Sequence, residues 1–478
     1  MNILKPWLIL ALIVIVAAFL RFYKLGQVPF GFYQDESAIG YNAYSILSTG
    51  KDEYGLRYPL YFKSFGDYKL PMYIYLTALS ERFFGIHEWA VRLPSALFGT
   101  LTVFVLYLFV LELTGKRTLS FVASAVLTFN PWHIHYSRAT FEVTVVLFFF
   151  VLGAYLLSLS FVRKKTGAFF IGTLAFIVAA YSYNLTRLLA PLLYAFILWN
   201  YFPRIRVIRR GELWTTLFVS LLLLVPFLWT LKSSGGALSA RGTFILTSAA
   251  VQAPLVEFRS YLISLPPILT KLLFNQFVLT FWQYMQNILS YFSVEFYFLT
   301  GSPHGNHGIG NVGEFYVFDL PFMVIGLYTF WKEKSRLLKI MVWWVVLTIA
   351  VAALTREAPH ATRSFSLIVP GVLLSAEGIL TSVSWLKGLR NKTVQNISLI
   401  LAVCFIAFNL VYYFTSYYMR FPILYAPAWR SSDKDLSLYL ERVAPQYDHI
   451  IIDSNSGFIY TSLLFYQKYS PLSFEQSV

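Results

Sequence analysis

The segment LPSALFGTLTVFVLYLFVLEL, residues 93–113, decides the fold class of this chain. It contains one charged side chain, Glu112, and its length matches the roughly 20 apolar residues that an α-helix needs to cross a bilayer. Hydrophobic residues make up 57% of the 478 residues and charged residues only 13%, against roughly 25% charged residues in a soluble protein. The sequence therefore predicts an all-α polytopic membrane protein.

Ten further segments have the same apolar character, which gives eleven predicted spans. The spans are Trp7–Leu20, Leu93–Leu113, Leu119–Trp132, Val143–Val162, Gly167–Tyr183, Leu188–Phe202, Leu213–Leu231, Val317–Trp331, Leu338–Leu354, Phe365–Trp385 and Ile397–Phe414. Met72–Phe84 is too short for a span and is interpreted as a juxtamembrane or re-entrant helix. Leu272–Leu299 is either an amphipathic outer segment or a hairpin of two more spans, which would raise the number to thirteen.

The net charge of +15 comes from short basic clusters between the apolar runs, a pattern that indicates membrane topology rather than nucleic-acid binding. These clusters are Lys5, Lys116–Arg117, Arg163–Lys165, Arg204–Arg210, Lys332–Lys339 and Lys387–Lys392. With eleven spans they all fall on one side, so we expect a cytoplasmic amino terminus and a carboxy terminus outside the cytoplasm. No small-residue cleavage motif follows the first span, which is therefore predicted to be an uncleaved anchor in a cell membrane.

The same topology places the polar residues outside the cytoplasm. Two long outer loops are predicted, over residues 21–92 and 232–316, and long loops of this kind are usually functional. We divide the chain into a transmembrane domain over residues 1–416 and an extracytoplasmic C-terminal segment over residues 417–478. That segment has an amphipathic helix near Asp433–Val443 and an apolar strand at His449–Asp453, as in a small α/β extension.

Several motifs, in this order along the chain, resemble the GT-C membrane glycosyltransferases, and most closely the branch of the protein O-mannosyltransferases and aminoarabinose (lipid A) transferases. They are Arg21-Phe-Tyr-Lys-Leu-Gly-Gln-Val-Pro29, Asp35-Glu36, Gly50, Tyr58-Pro59, Lys69-Leu-Pro71, Ala90-Val-Arg-Leu-Pro94 and Pro131-Trp-His-Ile-His-Tyr-Ser-Arg138. The resemblance covers most of residues 1–380 and implies a GT-C-type helical bundle. It also implies an enzyme that moves a sugar from a polyprenyl-phosphate carrier to an acceptor outside the cytoplasm.

The chemistry that this resemblance implies agrees with the residue types. The acceptor hydroxyl or amine loses a proton, which a carboxylate can take as general base, and the departing lipid phosphate needs cations. Asp35, next to Glu36, is the expected catalytic base. Lys69 matches the phosphate-contacting lysine of the aminoarabinose transferases, and Arg138 is the second candidate for the donor phosphate. A direct displacement would invert the anomeric centre, with no further cofactor required.

Each of these assignments has a structural alternative. Asp35 and Glu36 could stabilise the start of a helix, and Glu36 in particular could be structural. Arg138 and Glu142 are four residues apart and could form an ion pair on a helix. Lys69 could extend to lipid headgroups.

Further candidates for substrate contact are Glu142, Arg187, His360 and Arg363, all at predicted outer ends of spans. His304 and His307 have a spacing that suits two metal ligands, as in some relatives, although a plain solvent-exposed loop is the better explanation. Oligosaccharyltransferases, which need a divalent ion, carry Asp-X-Asp in the first outer loop. The Asp-Glu pair here has no spacer, so no metal is predicted.

Other functional classes share part of this pattern. A transporter or flippase would also have about eleven spans, but it would place ionisable groups near the bilayer midplane and often show repeats. An O-antigen polymerase or ligase would share the carrier lipid and the external site. The sequence does not distinguish between hexosyl and pentosyl donors, or between a protein and a glycan acceptor.

Overall fold

The computed structural model of the chain describes residues 5–232, 244–245, 255, 257, 260–261, 266–453 and 458–477. Helices dominate it from end to end. In the first half the elements are α1 (Pro6–Phe22), α2 (Gln34–Thr49), β1 (Phe62–Ser64), β2 (Asp67–Lys69), α3 (Pro71–Phe84), α4 (Glu88–Thr114), α5 (Arg117–Phe129), α6 (Pro131–Tyr136), α7 (Glu142–Arg163), α8 (Ala168–Ala180), α9 (Thr186–Tyr201) and α10 (Arg210–Lys232).

The second half of the described chain continues the same all-helical pattern. Its elements are α11 (Pro267–Leu273), α12 (Gln276–Ser290), α13 (Asp319–Lys332), α14 (Arg336–Ala352), α15 (Ala361–Ser364), α16 (Ile368–Lys387), α17 (Lys392–Thr415), α18 (Phe421–Leu424), α19 (Asp433–Val443), α20 (Ile459–Tyr466) and α21 (Pro471–Ser477). Short 3-10 turns cover Phe202–Val207, Phe365–Leu367 and Ala444–Gln446, and π-helical turns cover Glu295–Leu299 and Ser416–Arg420.

Each of the eleven predicted spans coincides with one of these helices. Among the described residues, six helical stretches are long and apolar enough to cross a membrane, so the membrane-protein class is confirmed, while eleven or thirteen crossings stays a prediction. The span in α7 is the most enclosed, with 67% of its central window buried, whereas the window in the stretch that begins with α17 is 6% buried. The bundle therefore has α7, α16 and α4 at its centre and α10 and α17 at its edge.

The two ambiguous segments each form a short helix. Met72–Phe84 lies in α3, which has 14 residues and packs between α2 and α4. Residues 272–299 contain one helix of 15 residues, α12, followed by the π-helical turn, which favours the amphipathic outer segment over a hairpin of two spans. Buried Asn287 on α12 explains why this helix lies on the bundle, because its amide donates to the carbonyls of Ala353 and Thr355 at 2.9 and 2.8 Å.

A two-stranded β-hairpin within the predicted first outer loop carries Lys69. Strands β1 and β2 are antiparallel, and Phe62 is paired with Lys69 and Ser64 with Asp67. Gly66 turns the chain between them with φ of +82°, a conformation that costs glycine little. Pro71 then starts α3, so Lys69 is held at a fixed point between a strand and a helix.

The C-terminal segment packs on α2 rather than standing apart. The predicted helix over Asp433–Val443 is confirmed as α19. The predicted strand at His449–Asp453 is wrong: these residues form no ladder with any described strand, and Ile451 is 95% exposed. Phe465 on α20 instead anchors the segment, because its ring lies 4.8 Å from that of Phe32 and would be 2.5 Å from a Cβ atom at Gly40.

Candidate active site

Asp35 and Lys69 meet at the start of α2. The Lys69 ammonium donates to Asp35 Oδ1 at 2.5 Å, so the structure brings together two residues 34 positions apart. Asp35 lies in the first turn of α2, where the positive end of the helix dipole favours a carboxylate. The Asp35 side chain is 34% exposed and that of Lys69 only 7% exposed. The pair therefore presents one accessible carboxylate next to a mostly covered cation.

Glu36, the next residue, is fully buried. Its two carboxylate oxygens accept from Arg92, with Nε at 2.9 Å and Nη2 at 2.8 Å. The Thr140 amide and hydroxyl donate to Oε1 of the same side chain at 3.0 and 2.9 Å. These contacts favour the structural interpretation of Glu36 over a direct catalytic one, because a substrate could reach it only after the pair had opened.

Arg138 does not face the Asp35–Lys69 pair in the way expected of a phosphate ligand. It is fully buried, and its Nη1 donates to the Leu20 carbonyl at 2.8 Å while Nη2 donates to the Val28 carbonyl at 3.0 Å. Its guanidinium also lies 5.6 Å from the ring centre of Tyr417. Arg138 thus stabilises the turn after α1, and these contacts favour a structural role, while its contact with the donor phosphate stays a prediction.

Three carboxylates surround the buried ring of Tyr33, directly before α2. Burial raises the pKa of Tyr33 well above its usual value, and the negative charges of Asp35, Glu36 and Glu142 add to the effect. Glu142, a predicted substrate contact, is half-buried in the first turn of α7. It therefore lies on the same side of the bundle as the start of α2.

Arg187 reaches the same region from α9. Its guanidinium lies 5.0 Å from the ring centre of Tyr61, and Tyr61 stacks on Tyr68 with their ring centres 5.2 Å apart. Asn184 donates to the Tyr68 carbonyl at 3.1 Å, directly before Lys69 in the chain. Arg187 is thus linked to the Lys69 hairpin, whereas the sequence alone gave it no relation to Lys69.

The histidines form a second cluster on the outer loops. One ligand atom from each of His304, Glu357 and His360 lies within 4.8 Å of the others, so the set that could hold a divalent metal contains Glu357 rather than His307. His307 is instead bonded through Nδ1 to the Thr362 hydroxyl at 2.9 Å. Burial, reinforced by neighbouring positive charges, lowers the pKa of His307 to about 3 and that of His360 well below its usual value. Both imidazoles are therefore neutral.

Arg363 competes for the same carboxylate. Its Nη2 lies 3.3 Å from Glu357 Oε2 and its Nη1 donates to the Glu357 carbonyl at 2.8 Å. A metal ion in this cluster would have to share Glu357 with a guanidinium, which weakens the case for a metal. Arg363 and His360, both predicted substrate contacts, thus lie around Glu357 in this cluster.

Glu53 is a buried residue of the site region that the sequence did not single out. Neither of its carboxylate oxygens has a hydrogen-bond partner in the described part of the chain, although Ser64 lies beside it. Burial raises the pKa of Glu53 to about 8, and the charge of Lys69 opposes that rise. Its position next to Asp52, in a loop predicted to be exposed, gave no sign of this burial.

Residues 68–229 of the chain match the family described as dolichyl-phosphate-mannose-protein mannosyltransferase. The matched stretch is roughly one third of the chain. It includes Lys69, Arg92, Arg138 and Arg187 but begins after Asp35.

Two curated relatives match a similar share of the chain. The chain is 29% identical over 177 residues to the Bacillus subtilis protein named "Putative mannosyltransferase YkcB", which is 36% of this chain and 22% of that protein. It is 27% identical over 164 residues to an uncharacterised Aquifex aeolicus protein, covering 34% of this chain and 32% of that protein. The match thus spans between a fifth and a third of the length of these relatives.

Two solved structures share the overall fold. ArnT from Cupriavidus metallidurans in the apo state superposes with a TM-score of 0.51 at 14% identity, covering 98% of this chain and 87% of that one. The oligosaccharyltransferase of Archaeoglobus fulgidus gives a TM-score of 0.50 at 12% identity, covering 96% of this chain and 59% of that one. At such identities the likeness is one of fold alone.

Proposed function

We propose, from the premise that the chain has the fold of the GT-C membrane glycosyltransferases and carries a mannosyltransferase-like domain, that it is a glycosyltransferase with its reaction centre at Asp35. The donor is a sugar linked to a polyprenyl phosphate, and the acceptor is a hydroxyl or amine outside the cytoplasm. The observation that carries the proposal is the contact between Asp35 and Lys69. It joins a proton acceptor to a phosphate-binding cation at one accessible point.

The reaction proposed for this pair is a single displacement. The donor phosphate draws Lys69 away from Asp35, which leaves the carboxylate ready to accept the proton of the acceptor. The acceptor oxygen or nitrogen forms the new bond to the anomeric carbon while the bond from that carbon to the phosphate oxygen breaks. The electron pair leaves with the lipid phosphate, whose charge Lys69 stabilises, and the anomeric configuration inverts.

Glu36 is proposed to be a positioning residue. Its ion pair with Arg92 ties the first turn of α2 to α4, and Thr140 ties it to the turn before α7. The buried pair therefore fixes the direction in which the neighbouring Asp35 points. The Glu36 carboxylate already accepts four hydrogen bonds, two from Arg92 and two from Thr140. This role therefore requires no contact between Glu36 and the substrate.

The transmembrane domain over residues 1–416 is proposed to carry the chemistry, with the C-terminal segment supporting α2. The Thr461 hydroxyl lies 2.8 Å from that of Ser37, two residues after Asp35. Tyr460 accepts from the Phe65 amide at 2.9 Å in the Lys69 hairpin. We place this face of the protein outside the cytoplasm and the amino terminus inside, as the basic clusters predict.

The test is sugar transfer in membranes that contain the wild-type chain, Asp35→Asn or the control Asp435→Asn, at matched expression. Asp435 is an exposed carboxylate on α19. A panel of radiolabelled polyprenyl-phosphate sugars serves as donors. Transfer by the wild type and the control that is lost in Asp35→Asn supports the proposal. Transport of the intact lipid-linked sugar without transfer would instead identify a flippase.

A further inference from the structure

An open groove of about 630 Å³ lies at the turn that joins α13 to α14. Its lining combines basic and apolar side chains. They are Lys332, Lys334 and Lys339 on the one hand, and Trp331, Leu338, Val342 and Trp343 on the other. The last four residues of the lining along the chain are one and four positions apart, so they share one face of α14. Such a lining suits a ligand that is anionic at one end and apolar at the other.

The positive charge of the groove is not neutralised by the protein. Lys332, Lys334 and Lys339 form no ion pair with any residue in the described ranges. Glu333, the acid among them, is instead paired with Lys116 at 3.4 Å. The first turn of α14 contains no acidic residue, so the positive end of its helix dipole adds to the charge. An anion bound among the three lysines would relieve their mutual repulsion.

The turn that carries the lysines is held by its own hydrogen bonds. The Lys334 amide donates to the Trp331 carbonyl at 3.1 Å, and the Ser335 amide donates to the Phe330 carbonyl at 3.0 Å. The Ser335 hydroxyl then accepts from the Leu337 amide at 3.2 Å and caps the start of α14. The lysines therefore project from a backbone that is already in place before any ligand binds.

Aromatic side chains indicate that the groove lies at the level of the lipid headgroups. The Lys339 ammonium is 5.2 Å from the ring centre of Trp199 on α9, and the rings of Trp199 and Trp343 are 6.2 Å apart. Trp331 is 67% exposed. Exposed tryptophans are typical of the boundary between headgroups and acyl chains, and lysines there extend towards the headgroups.

The groove is separate from the candidate active site. Helix α14 has 17 residues and is therefore roughly 25 Å long. The groove lies at its start, whereas its end leads to Thr355, whose hydroxyl accepts from Arg363 at 3.0 Å. The groove is thus at the end of α14 opposite to the histidine cluster, on the side that the basic clusters predict to be cytoplasmic.

We propose that this groove binds an anionic glycerophospholipid of the bilayer. The phosphate lies among the ammonium groups of Lys332, Lys334 and Lys339, and an acyl chain lies along Val342 and Trp343. A zwitterionic lipid is disfavoured because the lysines repel the cation of its headgroup, and a soluble phosphate lacks the chain that the apolar lining would cover. The inference is independent of the proposed function, since the groove contains no residue of the proposed reaction centre.

The binding test titrates the purified, delipidated chain in dodecyl maltoside with phosphatidylglycerol or phosphatidylcholine, and native mass spectrometry measures the first lipid bound. The triple variant Lys332→Gln/Lys334→Gln/Lys339→Gln should weaken the binding of phosphatidylglycerol about tenfold or more, because each lysine beside an anionic lipid contributes severalfold. Its binding of phosphatidylcholine should not change.

The matched control is Lys387→Gln/Arg390→Gln/Lys392→Gln. It removes the same charge from another exposed basic cluster, which does not line the groove. This control should bind phosphatidylglycerol as the wild type does, because the inference requires three local lysines rather than a high net charge.

Thermal unfolding provides a second measurement that distinguishes lost binding from a damaged fold. In phosphatidylcholine the groove variant should be at least as stable as the wild type, since it lacks the repulsion between lysines. Added phosphatidylglycerol should raise the Tm of the wild type and of the control but not that of the groove variant, because a ligand stabilises only the protein that binds it.

Three results would each overturn the inference. Equal affinity of the wild type for the two lipids would remove the preference for an anionic headgroup. An equal loss of binding in the control and the groove variant would show general attraction to the charge of the protein. Displacement of phosphatidylglycerol by inorganic phosphate at the same concentration would identify a site for soluble anions instead of a lipid.

Discussion

Glu36→Gln is expected to destabilise the protein much more than Asp35→Asn, although the two carboxylates are adjacent. Glu36 and Arg92 are both fully buried, and the pair is joined by hydrogen bonds of 2.9 and 2.8 Å. Glutamine keeps the shape of the side chain but removes its charge, which leaves the Arg92 guanidinium uncompensated in the interior. Breaking a buried pair in this way costs about 3–5 kcal/mol.

Asp35, the more exposed of the two adjacent carboxylates, should behave differently. Asp35 is one-third exposed, so its contact with Lys69 is partly screened by solvent, and Asp35→Asn should cost less than Glu36→Gln although Lys69 itself is only 7% exposed. The double variant Glu36→Gln/Arg92→Gln should be more stable than the sum of the two single changes predicts, because it leaves no lone buried charge. The difference between neighbours thus depends on burial rather than on residue type.

The assay is thermal unfolding in one detergent at one protein concentration, together with sugar transfer at a temperature below all of the transitions. Glu36→Gln should lower the Tm by roughly 3–5 °C and retain part of its activity while folded. A Tm within one or two degrees of the wild type, combined with complete loss of transfer, would refute the reasoning. Glu36 would then act on the substrate itself.

Three further changes have defined outcomes. Glu53→Gln should stabilise the protein relative to the wild type, and increasingly so as the pH rises. Burial raises the pKa of Glu53 from 4.5 to about 8, so between these pH values the native wild type holds a proton that its unfolded state releases. The unfolding free energies of variant and wild type, from melting curves, should therefore diverge by at most about 5 kcal/mol over this range. Lys69→Gln should lower the affinity for polyprenyl phosphate and the transfer rate together, whereas a fall in rate with unchanged binding would remove its phosphate-binding role. Treatment with a chelator should leave sugar transfer unchanged, because the Glu357 carboxylate is paired with the Arg363 guanidinium. A loss of transfer that added zinc restores would instead assign a metal to His304 and His360.

The helices of the bundle could be predicted from the sequence because each is set by a local pattern. An apolar run such as residues 93–113 specifies a helix without reference to the rest of the chain, and α4 lies where that run indicates. The strand expected at His449–Asp453 failed for the opposite reason. A strand needs a partner, and the described C-terminal segment offers helices that pack on α2 instead.

The candidate site was predictable in part. Asp35 and Lys69 stood out because they lie in motifs that resemble those of the GT-C glycosyltransferases, and the structure brings them into contact. The backbone carbonyls that Arg138 contacts could not be predicted, because a sequence does not reveal which cation donates to distant carbonyls. Glu357 was missed because its neighbours His304 and His360 are 56 residues apart in the chain and meet only in the folded loops.

The most direct test of the central claim is the rate of sugar transfer from a polyprenyl-phosphate donor by purified wild type and Asp35→Asn in liposomes, with donor binding measured in parallel. Loss of a general base lowers a rate by about 10²–10⁴-fold. We therefore predict a fall of that size in Asp35→Asn with donor affinity retained. Transfer by Asp35→Asn within about threefold of the wild type would contradict the claim that this carboxylate accepts the proton.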